Sequence, residues 1–299
     1  MRPDDAPRPR LAFIGAGRVA GALARLWHAR GYTISAVASR TYDHARRLAL
    51  AVDARTFHNP LALIDQADII CLSVPDDAIQ TTAARLIEAN WHGRSVIHFS
   101  GAHSLGVLGP LAEHGAMVGS LHPAFPFASA EQAARDLPGA AFAIEADDDA
   151  LRQQLITLVD VLDGQRIDLP PGAKAAYHAA LSIASNYTVT LYAIAEQLLS
   201  QATDAPSEAI SQALNSLMRG TVDNLTEQGI PAALTGPLVR ADLNTLAAHL
   251  DALKASPDTR SLYVALAQAT YPLLAARQVA YDEIEQLFEQ ESTHASDHP

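Results

Sequence analysis

Hydrophobic residues in the first half of the chain fall in short continuous runs separated by segments of helical period. The runs at residues 11–14, 33–38, 67–74 and 95–100 have few polar interruptions, as expected for parallel strands covered on both faces. Between these runs, apolar residues recur every three or four positions, which predicts amphipathic helices. The alternation predicts an α/β fold with a doubly wound, mostly parallel sheet of the Rossmann type.

The hydrophobic pattern changes at Pro170-Pro171-Gly172. Beyond these residues strand-like runs disappear and long helical patterns continue towards the C-terminus. We therefore predict two domains, a Rossmann domain at residues 1–169 and an all-α helical domain at residues 170–299. A chain of 299 residues is long enough for two domains of ordinary size.

The stretch from Leu11 to Ala24 predicts a strand that turns sharply into a helix. Its turn has the spacing G-x-G-x-x-G/A, in which the first glycine permits the turn, the second admits a phosphate and the small third residue lets helix pack on strand. The helix N-terminus also offers free N–H groups to an anion. A tight turn without a ligand is the alternative. The predicted pyrophosphate site comprises Gly15, Ala16, Gly17, Arg18, Val19 and Ala20.

The end of the second predicted strand indicates which dinucleotide binds. An Asp or Glu there holds the 2′-hydroxyl of NAD, whereas an arginine accommodates the 2′-phosphate of NADP. This strand ends at Ser39-Arg40-Thr41, with no carboxylate before Asp43. We therefore expect NADP rather than NAD, with Ser39 and Arg40 as ligands. A solvated surface arginine is the alternative for Arg40.

Later loops are predicted at the same edge of the sheet. Val74 ends one apolar run and Pro75 follows it, and Ser100 ends the next run, so all three are expected to contact the cofactor. Capping of the next helix by Asp76 or Asp77 is the alternative there. A third loop reads His122-Pro-Ala-Phe-Pro-Phe, and its histidine is predicted to contact substrate. Stiff apolar packing is the alternative for its phenylalanines.

The first helix of the second predicted domain carries the candidate catalytic residues. Lys174, His178, Ser182 and Ser185 recur at intervals of four, four and three, which places them on one helical face, with Asn186 beside it. A lysine ammonium facing a cofactor can hold a carbonyl oxygen and donate a proton. A surface lysine with a buried stem is the alternative for Lys174, and helix packing is the alternative for His178.

A turn at Thr235-Gly236-Pro237 precedes another predicted helix. Arg240 and Asp242 lie near the start of that helix, and Arg240 is of the right type to bind a substrate carboxylate with two hydrogen bonds. An internal ion pair between Arg240 and Asp242, or an ion pair between helices, is the alternative.

Composition excludes several classes of protein. The net charge is −12 and the arginines are scattered, so no nucleic-acid surface is expected. The single cysteine, Cys71, lies in a strand-like run, which predicts a core residue in a reducing compartment. The N-terminus has no apolar signal segment and no long uncharged apolar run follows, so we expect a cytoplasmic protein that does not associate with a membrane. Five histidines between residues 92 and 122 match no ligand spacing, so we expect no metal.

Several motifs together resemble one known family. GAGRVAGALA, the Ser-Arg pair after the second strand, HPAFPFA, K-x-x-YHAALSIASNY and LTGPLVRADLNTLAAHL are similar to proteins that pair a Rossmann-like domain with domain of unknown function 2520. That family resembles β-hydroxyacid dehydrogenases, ketopantoate reductase, pyrroline-5-carboxylate reductase and deazaflavin:NADP oxidoreductases. The resemblance implies a helical second domain of the 6-phosphogluconate-dehydrogenase C-terminal type, a homodimer formed through it, and an active site between the domains.

The resemblance also implies roles for particular residues. In the hydroxyacid dehydrogenases a helical K-x-x-x-N motif supplies a catalytic lysine and a substrate-binding asparagine. Lys174 matches this lysine, whereas His178 stands at the position of the asparagine. Asn186 is the candidate residue to replace the asparagine. The implied function is an NADP-dependent oxidoreductase acting on a small carbonyl or imine compound, with a carboxylate as one option. A deazaflavin:NADP oxidoreductase is one alternative. A non-catalytic NADP-binding sensor is an alternative from a different class.

Overall fold

The computed structural model describes residues 8–295. Residues 1–7, which contributed to the predicted location, lie outside the described residues. The first part of the chain forms one eight-stranded sheet. Its strands are β1 (Leu11–Ile14), β2 (Ile34–Ala38), β3 (Arg55–Phe57), β4 (Ile69–Leu72), β5 (Ser95–His98), β6 (Met117–Pro123), β7 (Ala141–Ala146) and β8 (Gln165–Asp168).

The strand order is β3-β2-β1-β4-β5-β6-β7-β8, and all neighbours are parallel except the antiparallel pair β6 and β7. Every residue of β1, β4 and β5 is buried, as the continuous apolar runs predicted. The direction of winding reverses between β1 and β4, so a crevice opens at the carboxyl ends of these strands. The predicted Rossmann-type doubly wound sheet is confirmed.

Helices connect the strands, and the described elements after β8 are all helices. They are α1 (Arg18–Ala29), α2 (Tyr42–Ala51), α3 (Leu61–Ile64), α4 (Asp76–Ala84), α5 (Gly109–Glu113), α6 (Ala130–Asp136), α7 (Asp149–Asp160), α8 (Lys174–Ala184), α9 (Asn186–Ala202), α10 (Ser207–Gln228), α11 (Leu243–Ala252), α12 (Pro257–Ala276) and α13 (Asp282–Ala295). Among the described helices, none combines the length and the apolar character needed to cross a bilayer.

Two apolar clusters cover the opposite faces of the sheet, because successive strand residues point to opposite sides. One contains the rings of Phe13, Trp27 and Phe99, whose centroids lie 6.2–6.3 Å apart. The other contains Trp91 and Ile70. Cys71 belongs to the first cluster and is fully buried, so its predicted place in the core is confirmed. This burial raises the pKa of its thiol.

The chain divides into two compact units, the first ending at Tyr187 and the second beginning at Thr188. Helix α8 therefore groups with the sheet. The domain limits predicted from the sequence, residues 169 and 170, stay a prediction. The described residues of the second unit form helices joined by loops and no strand, and its own core consists of Leu246, Leu250, Ala267, Leu274, Ile284 and Phe288.

Candidate functional site

The turn between β1 and α1 can be built only with glycine at its first position. Gly15 has a φ of +106°, and a Cβ added there would lie 2.1 Å from the carbonyl oxygen of Ser73. Gly17 is the N-cap of α1, and a Cβ added to it would meet no atom within 4 Å. No side chain caps α1 and no acidic residue occupies its first turn. Free N–H groups and the positive helix end thus face open space, which fits a phosphate.

Three cavities meet at this turn, and two of them lie at the carboxyl ends of the strands. The β2-side cavity measures about 640 Å³ and extends along the ends of β1 and β2 towards α4. The β5-side cavity measures about 340 Å³ and lies at the ends of β4 and β5. Both are lined by Gly17, Ser73, Val74 and Pro75. An elongated ligand whose centre lies at the glycine turn therefore reaches both cavities.

The residues predicted to bind the cofactor are brought together by these cavities, with one exception. Those lining the β2-side cavity are Gly15, Ala16, Gly17, Ser39, Arg40, Val74 and Pro75. The β5-side cavity adds Arg18, Val19 and Ser100. Ala20 is fully buried in the core beneath the turn, so its small size serves the packing of α1.

Other residues of the β2-side cavity were missed by the sequence reasoning. The rings of Tyr42 and His58 stack with centroids 3.8 Å apart and planes 5° from parallel. Thr81, Thr82 and Arg85 of α4 line the same cavity. No local motif identified them, because their approach to the glycine turn depends on the winding of the sheet.

Asp76 has a different place from the predicted helix cap. Pro75 is the N-cap of α4 and Asp76 is its first helical residue, with no side-chain capping bond in this turn. The carboxylate of Asp76 instead accepts a hydrogen bond of 2.8 Å from Ser100 Oγ. Ser100 Oγ in turn accepts from the backbone N–H groups of Ala102 and His103, both at 3.1 Å. These bonds fix the loop after β5 against α4, beside the β5-side cavity.

The loop after β6 is held by both polar and apolar contacts. Phe127 lines the β5-side cavity, and its carbonyl oxygen accepts a hydrogen bond of 3.0 Å from Arg18 Nη1. Its ring meets that of Phe125 edge to face, with centroids 5.5 Å apart, and both rings pack against the first apolar cluster. The alternative of apolar packing therefore describes both phenylalanines.

A row of buried polar residues crosses three neighbouring strands. His98 of β5 pairs in register with Ser120 of β6, which pairs with Glu145 of β7. Their exposed fractions are 0%, 0% and 8%. Lys174, at the start of α8, is 2% exposed, and its ammonium contacts Ser120 Oγ and lies 2.8 Å from Glu145 Oε2. The ammonium predicted to meet substrate is thus part of a buried ion pair.

Burial and the lysine charge govern the electrostatics here. Burial lowers the pKa of Lys174, while Glu145 opposes this change by favouring the charged ammonium. Burial, with the nearby ammonium, lowers the pKa of His98 to about 3. The same two causes, with a smaller effect of His178, lower the pKa of His122 to about 4. Both imidazoles are therefore neutral near pH 7.

Three aromatic side chains meet beyond this row. His122 Nδ1 lies 2.9 Å from the hydroxyl of Tyr177, one turn after Lys174 on α8. The rings of His122 and His178 are edge to face, with centroids 6.2 Å apart. A Cβ added to Gly101 would lie 2.6 Å from His178 Nδ1 and 2.8 Å from His122 Nε2. Both nitrogens therefore face the backbone of Gly101, directly after Ser100 of the β5-side cavity.

The other predicted catalytic and substrate residues lie at the end of α8 or beyond it along the chain. Ser185 is the C-cap of α8 and Asn186 begins α9, and both residues are exposed. Arg240 and Asp242 belong to the second unit. Asp242 is the N-cap of α11, where its carboxylate accepts from the backbone N–H of Thr245 at 3.1 Å and from its hydroxyl at 2.8 Å.

No group of three or more histidine, cysteine, aspartate or glutamate side chains within residues 8–289 has the arrangement of a metal site. The pair of His122 and His178 lacks a third ligand of that kind among these residues.

Fold and site together define a dinucleotide-binding α/β protein, and comparison with known families narrows the class. Residues 10–100 match the family described as NADP oxidoreductase, coenzyme F420-dependent. Residues 140–270 match the domain of unknown function 2520. The predicted combination of a Rossmann-like domain with domain of unknown function 2520 is confirmed. NADP, the predicted cofactor, is confirmed at the level of the N-terminal family.

Solved structures share the fold. A protein from Bacteroides fragilis classed as an NADP oxidoreductase is 26% identical, with a TM-score of 0.70 over 88% of this chain and 97% of that one. A protein from Thermotoga maritima is 22% identical, with a TM-score of 0.70 over 90% and 99%. A pyrroline-5-carboxylate reductase from Coxiella burnetii is 15% identical, with a TM-score of 0.61 over 90% and 98%. No curated protein matches the chain.

Proposed function

We propose that this protein is an NADP-dependent oxidoreductase that transfers a hydride between NADPH and a small carbonyl or imine compound. The observation that carries the proposal is the open N-terminus of α1 between two cavities, with Arg40 lining one of them. When bound, the reduced nicotinamide supplies the hydride. The residues of this chain bind and orient the dinucleotide and exclude water from its reactive end.

The two cavities suit the two halves of a dinucleotide. Arg40 is exposed at the rim of the β2-side cavity, next to Ser39, Thr41 and His44. A guanidinium there can form a charge-assisted contact with a 2′-phosphate. The smaller β5-side cavity combines the apolar Val19 with the hydrogen-bonded pair of Asp76 and Ser100, and suits the nicotinamide half.

A carbonyl or imine substrate is favoured by the structures that share this fold. They include an imine reductase from Myxococcus stipitatus in complex with NADP+, with a TM-score of 0.56 and 20% identity. A reductive aminase from Aspergillus terreus, in complex with NADPH and ethyl-5-oxohexanoate, has a TM-score of 0.60 and 15% identity. We extend this reaction class to the present chain as part of the proposal. Ser185, Asn186, Arg240 and Asp242 stay proposed substrate contacts, and Arg240 has the chemistry to hold a carboxylate.

The description of the N-terminal family favours a second candidate, a reductase that exchanges hydride between NADP and coenzyme F420, a deazaflavin. A non-catalytic NADP sensor is the alternative outside enzymes. Turnover separates the three functions. A carbonyl or imine reductase oxidises NADPH with those substrates, a deazaflavin enzyme does so only with the deazaflavin, and a sensor binds NADPH and oxidises it with none of them.

The first test is a fluorescence titration of the purified protein with NADPH and NADH. We expect NADPH to bind at least about tenfold more tightly, a difference of about 1.4 kcal/mol, and Arg40→Ala to remove this preference. Arg135→Ala is the matched control, because Arg135 is an exposed arginine that lines neither cavity. Failure of both nucleotides to bind at micromolar concentration would contradict the proposal.

We include a homodimer and a cytoplasmic location in the proposal. The dimer is favoured by large apolar side chains on α9 and α10, where Val189, Leu217 and Val222 are 71%, 68% and 57% exposed. Light scattering is expected to give twice the chain mass, and Leu217→Glu to reduce it. A monomeric wild-type protein at micromolar concentration would remove the dimer from the proposal.

A further inference from the structure

We infer that His122 is the residue that gives the proton to the reduced substrate, that Tyr177 sets its tautomer, and that Lys174 is a positioning residue for α8. This inference rests on the proposed reductase function. It assigns the proton transfer to a histidine rather than to the lysine that the sequence singled out.

The position of His122 suits contact with a substrate beside the nicotinamide half of a dinucleotide. It lies near the carboxyl end of β6, which runs parallel to β5, so it shares the edge of the sheet that carries the β5-side cavity. Its Nε2 faces Gly101, next to the cavity residue Ser100. The side chain is half-buried, and Nε2 forms no hydrogen bond with residues 8–289.

The contact with Tyr177 determines which nitrogen of His122 carries the proton. Burial raises the pKa of Tyr177 to about 12, so its phenol keeps its hydrogen at neutral pH and is able to donate to His122 Nδ1. A neutral imidazole that accepts at Nδ1 carries its own hydrogen at Nε2. The hydrogen of His122 is thereby directed towards the backbone of Gly101, which follows the cavity residue Ser100.

His178 supplies a second polar atom at the same place. Its Nδ1 is buried without a hydrogen-bond partner, although buried polar atoms are normally paired. The same nitrogen faces Gly101 beside His122 Nε2. A carbonyl oxygen or imine nitrogen that accepts from His122 would place its neighbouring polar group near this atom. Position 178 thus carries a histidine where the hydroxyacid dehydrogenases have an asparagine, and the histidine is also a hydrogen-bonding side chain.

Lys174 holds these groups in place without touching substrate. Lys174, Tyr177 and His178 lie at positions i, i+3 and i+4 of α8 and therefore share one helical face. The ammonium is occupied by Ser120 and Glu145, and the residue is 2% exposed. This anchor fixes the rotation of α8, which directs Tyr177 and His178 towards His122.

The chemical step balances as follows. The substrate carbon gains a hydride from NADPH as the π bond to oxygen or nitrogen breaks. The heteroatom takes the proton of His122 Nε2, while His122 Nδ1 takes the proton of the Tyr177 hydroxyl. The phenolate then regains a proton from water. The net change is one hydride from NADPH and one proton from solvent.

The test combines the tautomer of His122 with reduction rates. In the full-length protein labelled with 15N-histidine, NMR is expected to find His122 protonated at Nε2, and to find this preference lost in Tyr177→Phe. Tyr187→Phe is the matched control, because Tyr187 is 58% exposed. Rates of NADPH oxidation are measured with 2-methyl-1-pyrroline and ethyl-5-oxohexanoate as probes. His122→Asn is expected to lower the rate by about 10²–10⁴-fold without changing NADPH affinity, and Tyr177→Phe to cause a smaller loss.

The outcomes separate this inference from the proposed function. If the wild-type protein does not bind NADPH, both this inference and the proposed function are overturned. If NADPH binds, an Nδ1-protonated His122 or a wild-type rate in His122→Asn would overturn only the assignment of His122. If neither probe is reduced, the tautomer in wild type and in Tyr177→Phe decides alone.

Discussion

Removing the carboxylate of Glu145 tests how strongly α8 is anchored to the sheet. In Glu145→Gln the ammonium of Lys174 remains in the interior without its ionic partner. The two side chains are 3% and 9% exposed and approach to 2.8 Å, so water screens the pair little. Breaking a buried pair from one side costs about 3–5 kcal/mol, because an uncompensated charge remains. A whole domain is stable by only about 5–15 kcal/mol.

Two further variants show whether the loss comes from charge burial. Asp65→Asn breaks the pair of Arg94 and Asp65, which is also short, at 2.9 Å, but has a carboxylate that is 69% exposed. That change is expected to cost about 0–1 kcal/mol. Replacing both buried partners, in Lys174→Met with Glu145→Leu, leaves no buried charge and is expected to be neutral or stabilising by about 1–4 kcal/mol.

Urea unfolding followed by tryptophan fluorescence measures this effect in the right part of the molecule. The chain has two tryptophans, Trp27 and Trp91, and both are buried in the first unit. Their emission therefore reports on the sheet rather than on the second unit. A free energy of unfolding for Glu145→Gln within about 1 kcal/mol of wild type would refute the buried anchor.

Three other predictions follow from the same contacts. Gly15→Ala is expected to prevent folding or to destabilise the first unit severely, because of the contact with Ser73 and the positive φ. Gly17→Ala, in contrast, should keep wild-type stability in urea and weaken NADPH binding, which fluorescence measures. Because His98 and His122 have pKa values of about 3 and about 4 when folded, against 6.5 when unfolded, unfolding should absorb protons below pH about 6.5. Stability in urea should then fall with falling pH, with a slope approaching about 1.4 kcal/mol per pH unit for each imidazole, and a flat profile between pH about 7 and about 5 would contradict this. Asp242→Ala should lower the circular-dichroism melting temperature, whereas Asp242→Asn, which can still cap α11, should not.

The sequence was sufficient wherever a short segment determines its own conformation. The apolar run before Gly15 and the glycine spacing after it fixed both the strand and the turn, because steric limits on φ act within a few residues. Residues at the ends of neighbouring strands, such as Arg40 and Ser100, also line the cavities at the glycine turn, since parallel strands end at one edge. The topology itself supplied that proximity.

The sequence was insufficient where contacts join distant segments. Lys174 lies 29 residues from Glu145 and 54 from Ser120, and no spacing rule connects them. One signal was nevertheless present. Glu145 is the only charged residue in the apolar strand Ala141–Ala146, and a charge in a buried strand requires a partner. Lysine is rare in this chain, so Lys174 was a reasonable candidate for that partner.

The alternative of an aspartate cap on α4 does not hold, for a more local reason. Pro75 occupies the N-cap, which moves Asp76 to the first helical position and frees its carboxylate for Ser100. Proline is favoured near helix starts, because its fixed φ suits them and no N–H is lost there. The chain therefore uses a residue type typical of caps to tie together two loops at the cavity.

One helical face accounts for both features that the sequence marked in α8. Lysine, tyrosine and histidine at i, i+3 and i+4 point the same way, so a single anchor at Lys174 determines where Tyr177 and His178 lie. A lysine exposed to substrate would leave the rotation of α8 to weaker apolar contacts. Because Lys174 is buried beside Glu145, its ammonium fixes the orientation of α8 and does not meet substrate. The neutral His122 is then the group with a free nitrogen at Gly101. The order of residues on α8 is therefore better explained by the contacts of His122 than by a direct role for the lysine.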